Sequence, residues 1–580
     1  SFATGLPVQR EFITPVFTQR VGPTDLAELP NGNGQLVVTT YGGVAFLLDR
    51  NGSVNDTPFL DLFHDTSPTY SPNFEIGDAH GLTSIAFHPD YTDPARPGYR
   101  RFYTLEPERS DSGVADFYES IQPGNHHQDV LYEYTMSDVA AMECDLTCAG
   151  SKRELLRVTQ PGWHHNLGDL LFSPDGMLYI GSGDGSTAAS VPPIMSDNSQ
   201  ILSNIFGKVL RIDPLGTNSA NGKYGVPPDN PFVDGPGGNL DEIYAWGLRN
   251  PFRLEFDPVT GQMYASETGE LTIESVEAIV AGGNFGWNRM EGTFVYDPVT
   301  HGVLPDVDAD GNGIGDVMED NGFLPPAFQY DRGDGRAIVG AVPYRGTEIP
   351  GLEGDVIFSD FSSKLFYGDV TTGEAFKVVP NQFGAALPYN VHSVNRDSAG
   401  EIYILGIAKL PDDEWDGVIV RLDAGPALDG DFDYDGMLTL NDLDALTAEV
   451  RAGDPRARFD VNHDGQVDQQ DRITWVNGRR STWFGDANLD GVFDSNDLVR
   501  VFVAGLYEDG VTGNATWATG DWNGDGDFST NDFVIALQDG GYDRGERLNA
   551  VSVPEPSGFG MQFCLSAVGI LAGCRMKQTR

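Results

Sequence analysis

The chain is short of positive charge and of cysteine, and both shortages exclude something. Lys and Arg number 36 against 86 Asp and Glu, a formal net charge of −50. A surface of that sign repels a phosphate backbone, which excludes nucleic acid as a partner. Four cysteines in 580 residues are too few for a disulfide scaffold. Cys144 and Cys148 stand close enough to bridge and would suit an oxidising compartment. Cys564 and Cys574 sit in an apolar tail and are expected free. Common catalytic signatures are also missing: no phosphate-cradling P-loop, no dinucleotide fingerprint in a βαβ setting, no zincin helix. The Gly-rich "GSGDGS" follows a hairpin, so it does not read as a nucleotide site. A redox cofactor would need another kind of cradle. The acidic excess instead suits a calcium-rich exterior, where carboxylates meet a hard divalent cation.

What is present reads as β structure. Glycine (71), proline (36) and 11% aromatics describe a turn-rich chain, too long for one core. Over residues 1–425 one phrase recurs: an apolar strand, a Pro/Asp/Gly turn, then a strand with Tyr and β-branched residues. It starts at Ile85 ("IAFHPDYTDPARPGYRRFYTLE"), Leu170 ("LLFSPDGMLYIGS"), Leu254 ("LEFDPVTGQMYASE") and Ser393 ("SVNRDSAGEIYILG"). Gln35 to Asp49 and Gly354 to Val379 read the same way. This is a hairpin signature. Its recurrence predicts a mainly β fold, a β-propeller of about six blades. A pair of sandwiches would explain the strands but not the repeated phrase.

After Leu428 the texture changes. Four loops of one design run from Asp431 to Asp442, Asp460 to Asp471, Asp486 to Asp497 and Asp521 to Asp532. Oxygen side chains fall at loop positions 1, 3 and 5: Asp431, Asp433, Asp435; Asp460, Asn462, Asp464; Asp486, Asn488, Asp490; Asp521, Asn523, Asp525. Each loop has Gly at position 6 and closes on Asp442, Asp471, Asp497 or Asp532. Alternating oxygens wrap one cation while Gly permits the sharp turn, so EF-hand-like calcium binding is expected. A short amphipathic helix follows each loop. Loop plus following helix, over residues 428–545, resembles dockerin type I repeats, which implies a cohesin-like partner. A calcium-stiffened spacer is the alternative. A fifth acidic run, Asp306 to Asp316, resembles thrombospondin type 3 calcium loops, with Asp306, Asp308, Asp310, Asn312 and Asp316 as ligands.

The last segment, residues 553–580, runs "VPEP", then seventeen apolar to weakly polar residues, then "RMKQTR". As a helix the apolar stretch would reach about 26 Å, marginal for a ~30 Å hydrocarbon core. Arg575, Lys577 and Arg580 would stay cytoplasmic. The arrangement resembles the PEP-CTERM sorting tail, which implies export to the envelope or beyond, with the tail entering the membrane as an apolar helix before processing. The chain opens at Ser1 with no leader, as expected of one whose leader has been removed.

Read in order, "HGLTSIAFHPDY", "QPGWHHNLGDLLFSPDGMLYIGSGDG", "NIFGKVLRIDP", "EIYAWGLRNPFRLEFDPVTGQMYASETG", "GGNFGWNRMEG" and "GRAIVGAVPYRG" resemble the glucose/sorbosone dehydrogenase family over most of residues 20–425. The resemblance implies a six-bladed propeller using pyrroloquinoline quinone (PQQ) and calcium to oxidise a sugar. Of the adjacent His164 and His165, the second stands where the family has its general base, and an imidazole titrating near neutrality suits that task. Arg249 and Asn250 in "GLRNP" match the pair that reaches the quinone, where a guanidinium stabilises developing negative charge. Gly269 and Glu270 align with the segment whose backbone carbonyls hold the calcium. His80 stands where many members have a cofactor-contacting Gln.

Two departures stand out. Leu167 replaces the first glycine after the histidine, narrowing the space above it. PQQ carries three carboxylates, yet Asn390 and His392 occupy the place of the family's late cations, and Arg396 is offset. Lys364 or Arg345 could substitute. Burying anions without partners is costly. Three readings follow: an exported calcium-dependent PQQ dehydrogenase turning an aldose into its lactone; a non-catalytic propeller on a calcium-stiffened stalk, binding glycans or envelope partners; and a lactonase, for which no ring of carboxylates argues.

Overall fold

A computed structural model describes residues 4–17, 22–49, 52–55, 57–75, 81–117, 127–186, 197–233, 238–311, 314–349, 352–370, 372–373, 375–380, 387, 389–409, 415–423, 430–432, 438–452 and 459–547. His80, Asn312, Asp433, Asp435 and the tail 553–580 lie outside them. The chain divides into two compact units, Ser1–Asp442 and Leu443–Arg580.

In the first unit the hairpins assemble into antiparallel four-stranded groups. One is Pro23–Glu28, Leu36–Thr40, Val44–Leu48 and Leu60–Asp61; the next three begin at Ser84–Phe87, Leu167–Phe172 and Pro251–Phe256. The last two, beginning at Ile338–Pro343 and Asn390–Arg396, share one eight-stranded sheet, because Thr4–Phe17 pairs antiparallel with Trp415–Asp423 and parallel with Ala375–Pro380. The final group is thus completed by the start of the chain. First strands of successive groups pack side by side, and the sixth packs against the first, so the ring closes. This is a six-bladed propeller.

Each blade is covered on both faces by its neighbours, so inner strands are apolar runs rather than alternating ones. Leu36–Thr40, Leu178–Ser182 and Lys208–Ile212 are buried throughout. Between the first two blades the aromatic rings of Phe59, Phe87, Tyr91 and Phe102 pack edge to face. The axis is not open. Arg253, buried at its centre, donates to Asp169 Oδ1 (3.0 Å), Thr83 O (3.1 Å), Ser393 Oγ (3.2 Å) and Thr24 O. One guanidinium thereby ties together strands from five blades and divides the channel into two mouths. Burial pushes the Asp169 carboxyl up to about 6, against the pull of Arg253.

Cys144 and Cys148 form a disulfide beneath the second blade, at the short helix Leu146–Ala149. The fourth blade carries an insertion, a small sheet of Met290–Glu291, Phe294–Asp297 and Gly302–Pro305 followed by the helix Asp316–Asn321. In the second unit the helices Gln469–Thr474, Ser495–Ala504 and Thr530–Asp539 each follow an acidic loop, around buried Trp475, Trp517 and Trp522. The division between units falls inside the helix Leu440–Ala452, later than the change of texture at Leu428. Among the described residues, no helix is long and apolar enough to cross a membrane.

Candidate active site

At one mouth of the ring a cavity of about 390 Å³ is lined by His165, Leu167, Arg249, Asn250, Glu270, Arg332 and Arg336, among others. His165 enters it from the turn before the third blade, with a left-handed backbone (φ 56°) that costs a side-chain-bearing residue roughly 1–2 kcal/mol. Two interactions hold the ring. Its Nδ1 lies 2.7 Å from Asp184 Oδ1 and 2.9 Å from Ser186 Oγ. Asp184 is itself fixed, accepting from Ser186 N (2.9 Å) and Trp287 Nε1 (3.0 Å). Gly183 lets this segment run directly under the histidine, since a Cβ there would sit 2.4 Å from the His165 carbonyl oxygen.

Burial holds His165 below the ordinary imidazole range, and Arg249 pushes the same way against Asp184. Burial alone would raise Asp184, but the imidazole and Arg249 outweigh it and keep the carboxyl below its usual range. The pair therefore rests as a neutral imidazole against a carboxylate. With Nδ1 engaged, Nε2 is the atom left to take a proton.

Arg249 and Asn250 sit on the turn into the fourth blade. Glu267 accepts both backbone N–H groups, the second at 3.2 Å, and burial lifts its carboxyl well above the ordinary range. The Arg249 guanidinium stands 5.5 Å from the Trp287 ring, donates to Thr268 O (3.1 Å) and pairs with the Glu270 carboxylate. Both partners of that pair are only 5% exposed. The turn beyond is rigid. One oxygen of Glu291, Oε1, accepts the N–H groups of Glu270, Leu271, Thr272 and Ile273 at 2.9–3.1 Å. Gly269 is obligatory there, because a Cβ would fall 1.7 Å from Ile273 O.

A ring of six blades whose axial mouth offers a held histidine and three arginines matches what comparison finds. Residues 21–409 match the glucose/sorbosone dehydrogenase family. The chain belongs to that family. The soluble aldose sugar dehydrogenase of Escherichia coli superposes with a TM-score of 0.51 at 19% identity, over 72% of this chain and all of that one (100%), a likeness of fold. Quinoprotein glucose dehydrogenase B of Acinetobacter calcoaceticus is 27% identical over 225 residues, 37% of this chain and 41% of that protein. The Hedgehog-interacting protein of Mus musculus is 25% identical over 394 residues, 67% of this chain and 49% of that protein. The chain spans about half the length of the first curated relatives it matches.

Membership sharpens two corrections. The expected shortage of cations is not what the fold delivers. His392 is buried against the rings of Tyr41 and Phe361, and burial takes its pKa down to about 4. Arg396 pairs with Glu255, Arg345 with Asp257, and Lys364 binds the Asp334 carbonyl; none of the three lines the cavity. Arg332 and Arg336 do, from the turn "DRGDGR" that enters the fifth blade. The second correction concerns calcium. Arg332 Nη2 donates to Glu270 O (2.8 Å) and reaches Gly269 O (3.5 Å), so the carbonyls expected to face a calcium face a guanidinium. These two residues do not fit a divalent ion as they stand.

Sequence reading missed Asp184, Trp287, Glu291, Arg332 and Arg336. Asp184 was visible only as an acid between glycines in "GSGDGS". Trp287 and Glu291 lie in "GGNFGWNRMEG" and Arg336 in "GRAIVGAVPYRG", but nothing local marks these side chains as facing the cavity, and Arg332 lies in neither stretch.

In the second unit the three loops described in full are wired alike. The closing carboxylate accepts from position 9 and from position 2 or 3: Asp471 from Asn462 (3.1 Å) and Asp468 (2.8 Å), Asp497 from Ala487 and Asp494 (2.9 Å each), Asp532 from Asn523 and Ser529 (2.8 Å each). Asp442 does the same for Phe432 and Thr439 in the first loop. The position-1 carboxylates Asp460, Asp486 and Asp521 accept the N–H of the position-6 Gly at 2.7–2.9 Å. Asn462, Asn488 and Asn523 each bond the carboxylate two residues on, Asp464, Asp490 or Asp525. The closing Asp also completes the capping box of the helix that follows. Burial raises Asp486 and Asp532 and lifts Asp497 and Asp521 to about 6, with neighbouring carboxylates adding to it. Among the described residues, no three His, Cys, Asp or Glu side chains converge as a metal site. In the insertion, Asp306 accepts from Val317 (3.0 Å) and Met318 (3.1 Å) and so caps a helix, while Asp308 and Asp316 bond the N–H of Gly311 and Ala309.

Proposed function

We propose that the propeller is a PQQ-dependent sugar dehydrogenase that oxidises an aldose to its lactone. The observation that carries this reading is His165, held by Asp184, in one cavity with Arg249, Arg332 and Arg336. That donor set suits a flat molecule with three carboxylates. Arg336 has no side-chain hydrogen bond or ion pair with any other described residue, and its positive charge is available to such an anion. Arg332 and Arg336 would meet the carboxylates, with Arg249 and Asn250 at the quinone edge. When bound, PQQ supplies a two-electron acceptor for the hydride at the sugar C1. His165 Nε2 takes the proton of the C1 hydroxyl, and Asp184 stabilises the imidazolium that results. Leu167 and Ile338 give the cavity apolar wall, which limits water beside the base.

The same reading makes the protein exported, with a bridged Cys144–Cys148 suiting an oxidising compartment. It also gives the second unit calcium, taken at positions 1, 3, 5 and 12 of its loops. The donor chemistry supports this, since Asp497 is raised by burial and by the neighbouring carboxylates Asp486 and Asp490, repulsion that a bound cation would relieve. A cohesin-like or envelope partner for that stalk is part of the same proposal.

Two observations favour a second reading, a non-catalytic propeller that binds glycans or envelope partners. Arg249 spends its charge on Glu270 in a buried pair, and a Hedgehog-interacting protein is among the relatives. The discriminating experiment reconstitutes the full chain with PQQ and calcium, removes free PQQ, and follows dye reduction across a panel of aldoses. Retained PQQ with sugar-dependent reduction supports the enzyme; no retention leaves the binding propeller.

A further inference from the structure

We propose that Arg332 is a built-in substitute for a divalent cation at the Gly269–Glu270 turn, so that the propeller cavity takes its anionic cofactor with no metal bound. The guanidinium reaches both carbonyls, Glu270 O at 2.8 Å and Gly269 O at 3.5 Å. The same nitrogen, Nη2, lies 3.0 Å from Glu274 Oε1. Glu274 cannot follow a departing arginine. It is fully buried, and its other oxygen accepts from Ile338 N (3.0 Å) and Gly269 N (3.3 Å).

Nor can the turn rearrange to offer its carbonyls elsewhere, since Glu291 fixes four consecutive N–H groups. A calcium ion there would have to expel Arg332 and break its contact with Glu274. It would also add a double charge to a mouth that already holds Arg249 and Arg336. The one carboxylate side chain on the turn, Glu270, is turned to Arg249 instead. A planar guanidinium supplies one permanent charge and several donors where a hard cation would supply charge alone. Calcium bound by this protein therefore lies outside the cavity.

The proposal rests on the dehydrogenase reading only for the identity of the anion; the calcium count is independent of it. Bound calcium is counted by equilibrium dialysis of the full chain, comparing wild type with Arg332→Met and Arg332→Lys. One more calcium per chain in Arg332→Met, with the wild-type number in Arg332→Lys, is expected. Equal numbers in wild type and Arg332→Met overturn the proposal. Should Arg332→Met not fold, hydrogen exchange of the wild type decides: calcium leaves the amides of residues 270–273 unchanged, and slowed exchange there overturns it. Retention of PQQ is measured separately, with and without chelator. Loss in both buffers sinks the cofactor reading and leaves the calcium count to judge Arg332; loss only with chelator counts against Arg332 as the cation.

Discussion

His165 Nδ1 and Asp184 Oδ1 lie 2.7 Å apart in the wall of the axial cavity, joining the turn before the third blade to the end of that blade's second strand. The carboxylate sets which nitrogen carries the proton, and it does so from a segment that only glycines allow to pass beneath the histidine.

Asp184→Asn keeps the size but can turn an amide N–H toward Nδ1, favouring the wrong tautomer. In sugar-dependent dye reduction kcat is expected to fall by about 10²–10⁴ with little change in KM. Because burial and Arg249 already lower His165, the acid limb of kcat/KM lies below pH 6.5, the ordinary imidazole value. Asp184 raises His165, so the variant's limb moves further down.

Glu270→Gln releases Arg249 from its buried partner. Under the dehydrogenase reading, PQQ binds about tenfold tighter, roughly 1.4 kcal/mol. Fluorescence titration of PQQ measures this, and an unchanged constant would show that Arg249 does not serve the cofactor.

Burial lifts Glu277 to about 8 from an ordinary 4.5, relieved only by Ser275. The folded chain thus keeps a proton that the unfolded chain releases. Stability from this group is full below pH 4.5 and is lost as the pH rises through 8. Glu277→Gln is expected to flatten the decline of the melting temperature over that window, and a parallel decline in the variant would refute it.

In the second unit Asp490 stands at position 5 of its loop, exposed, and bonds Val492 N at 3.0 Å without capping a helix. Asp490→Ala should cost one calcium per chain and narrow the gap between melting with calcium and melting with chelator. An unchanged count would remove this loop from the calcium sites.

The blades were legible because a hairpin is local. Strand, Pro/Asp/Gly turn and strand lie within about twenty residues, and the two-sided burial of a propeller leaves continuous apolar runs. His165 and Arg249 could be found through motifs of neighbouring residues. Arg332 could not, nor could the role of Arg336 in "GRAIVGAVPYRG", because nothing near "DRGDGR" says which turn of a closed ring faces the mouth. His392 and Arg396 show the converse: they occupy the expected stretch, but one is buried among aromatic rings and the other points to Glu255. Gly269 and Glu270 lie in the cavity wall, yet the partner of their carbonyls comes from a strand turn some sixty residues later.

The central claim is that one imidazole takes the sugar's proton beside a bound quinone cofactor. His165→Ala, reconstituted with PQQ and checked for its retention, tests it most directly. With PQQ retained as in the wild type, aldose-dependent dye reduction should drop by at least about 10². A variant that keeps both its PQQ and its rate would contradict the claim.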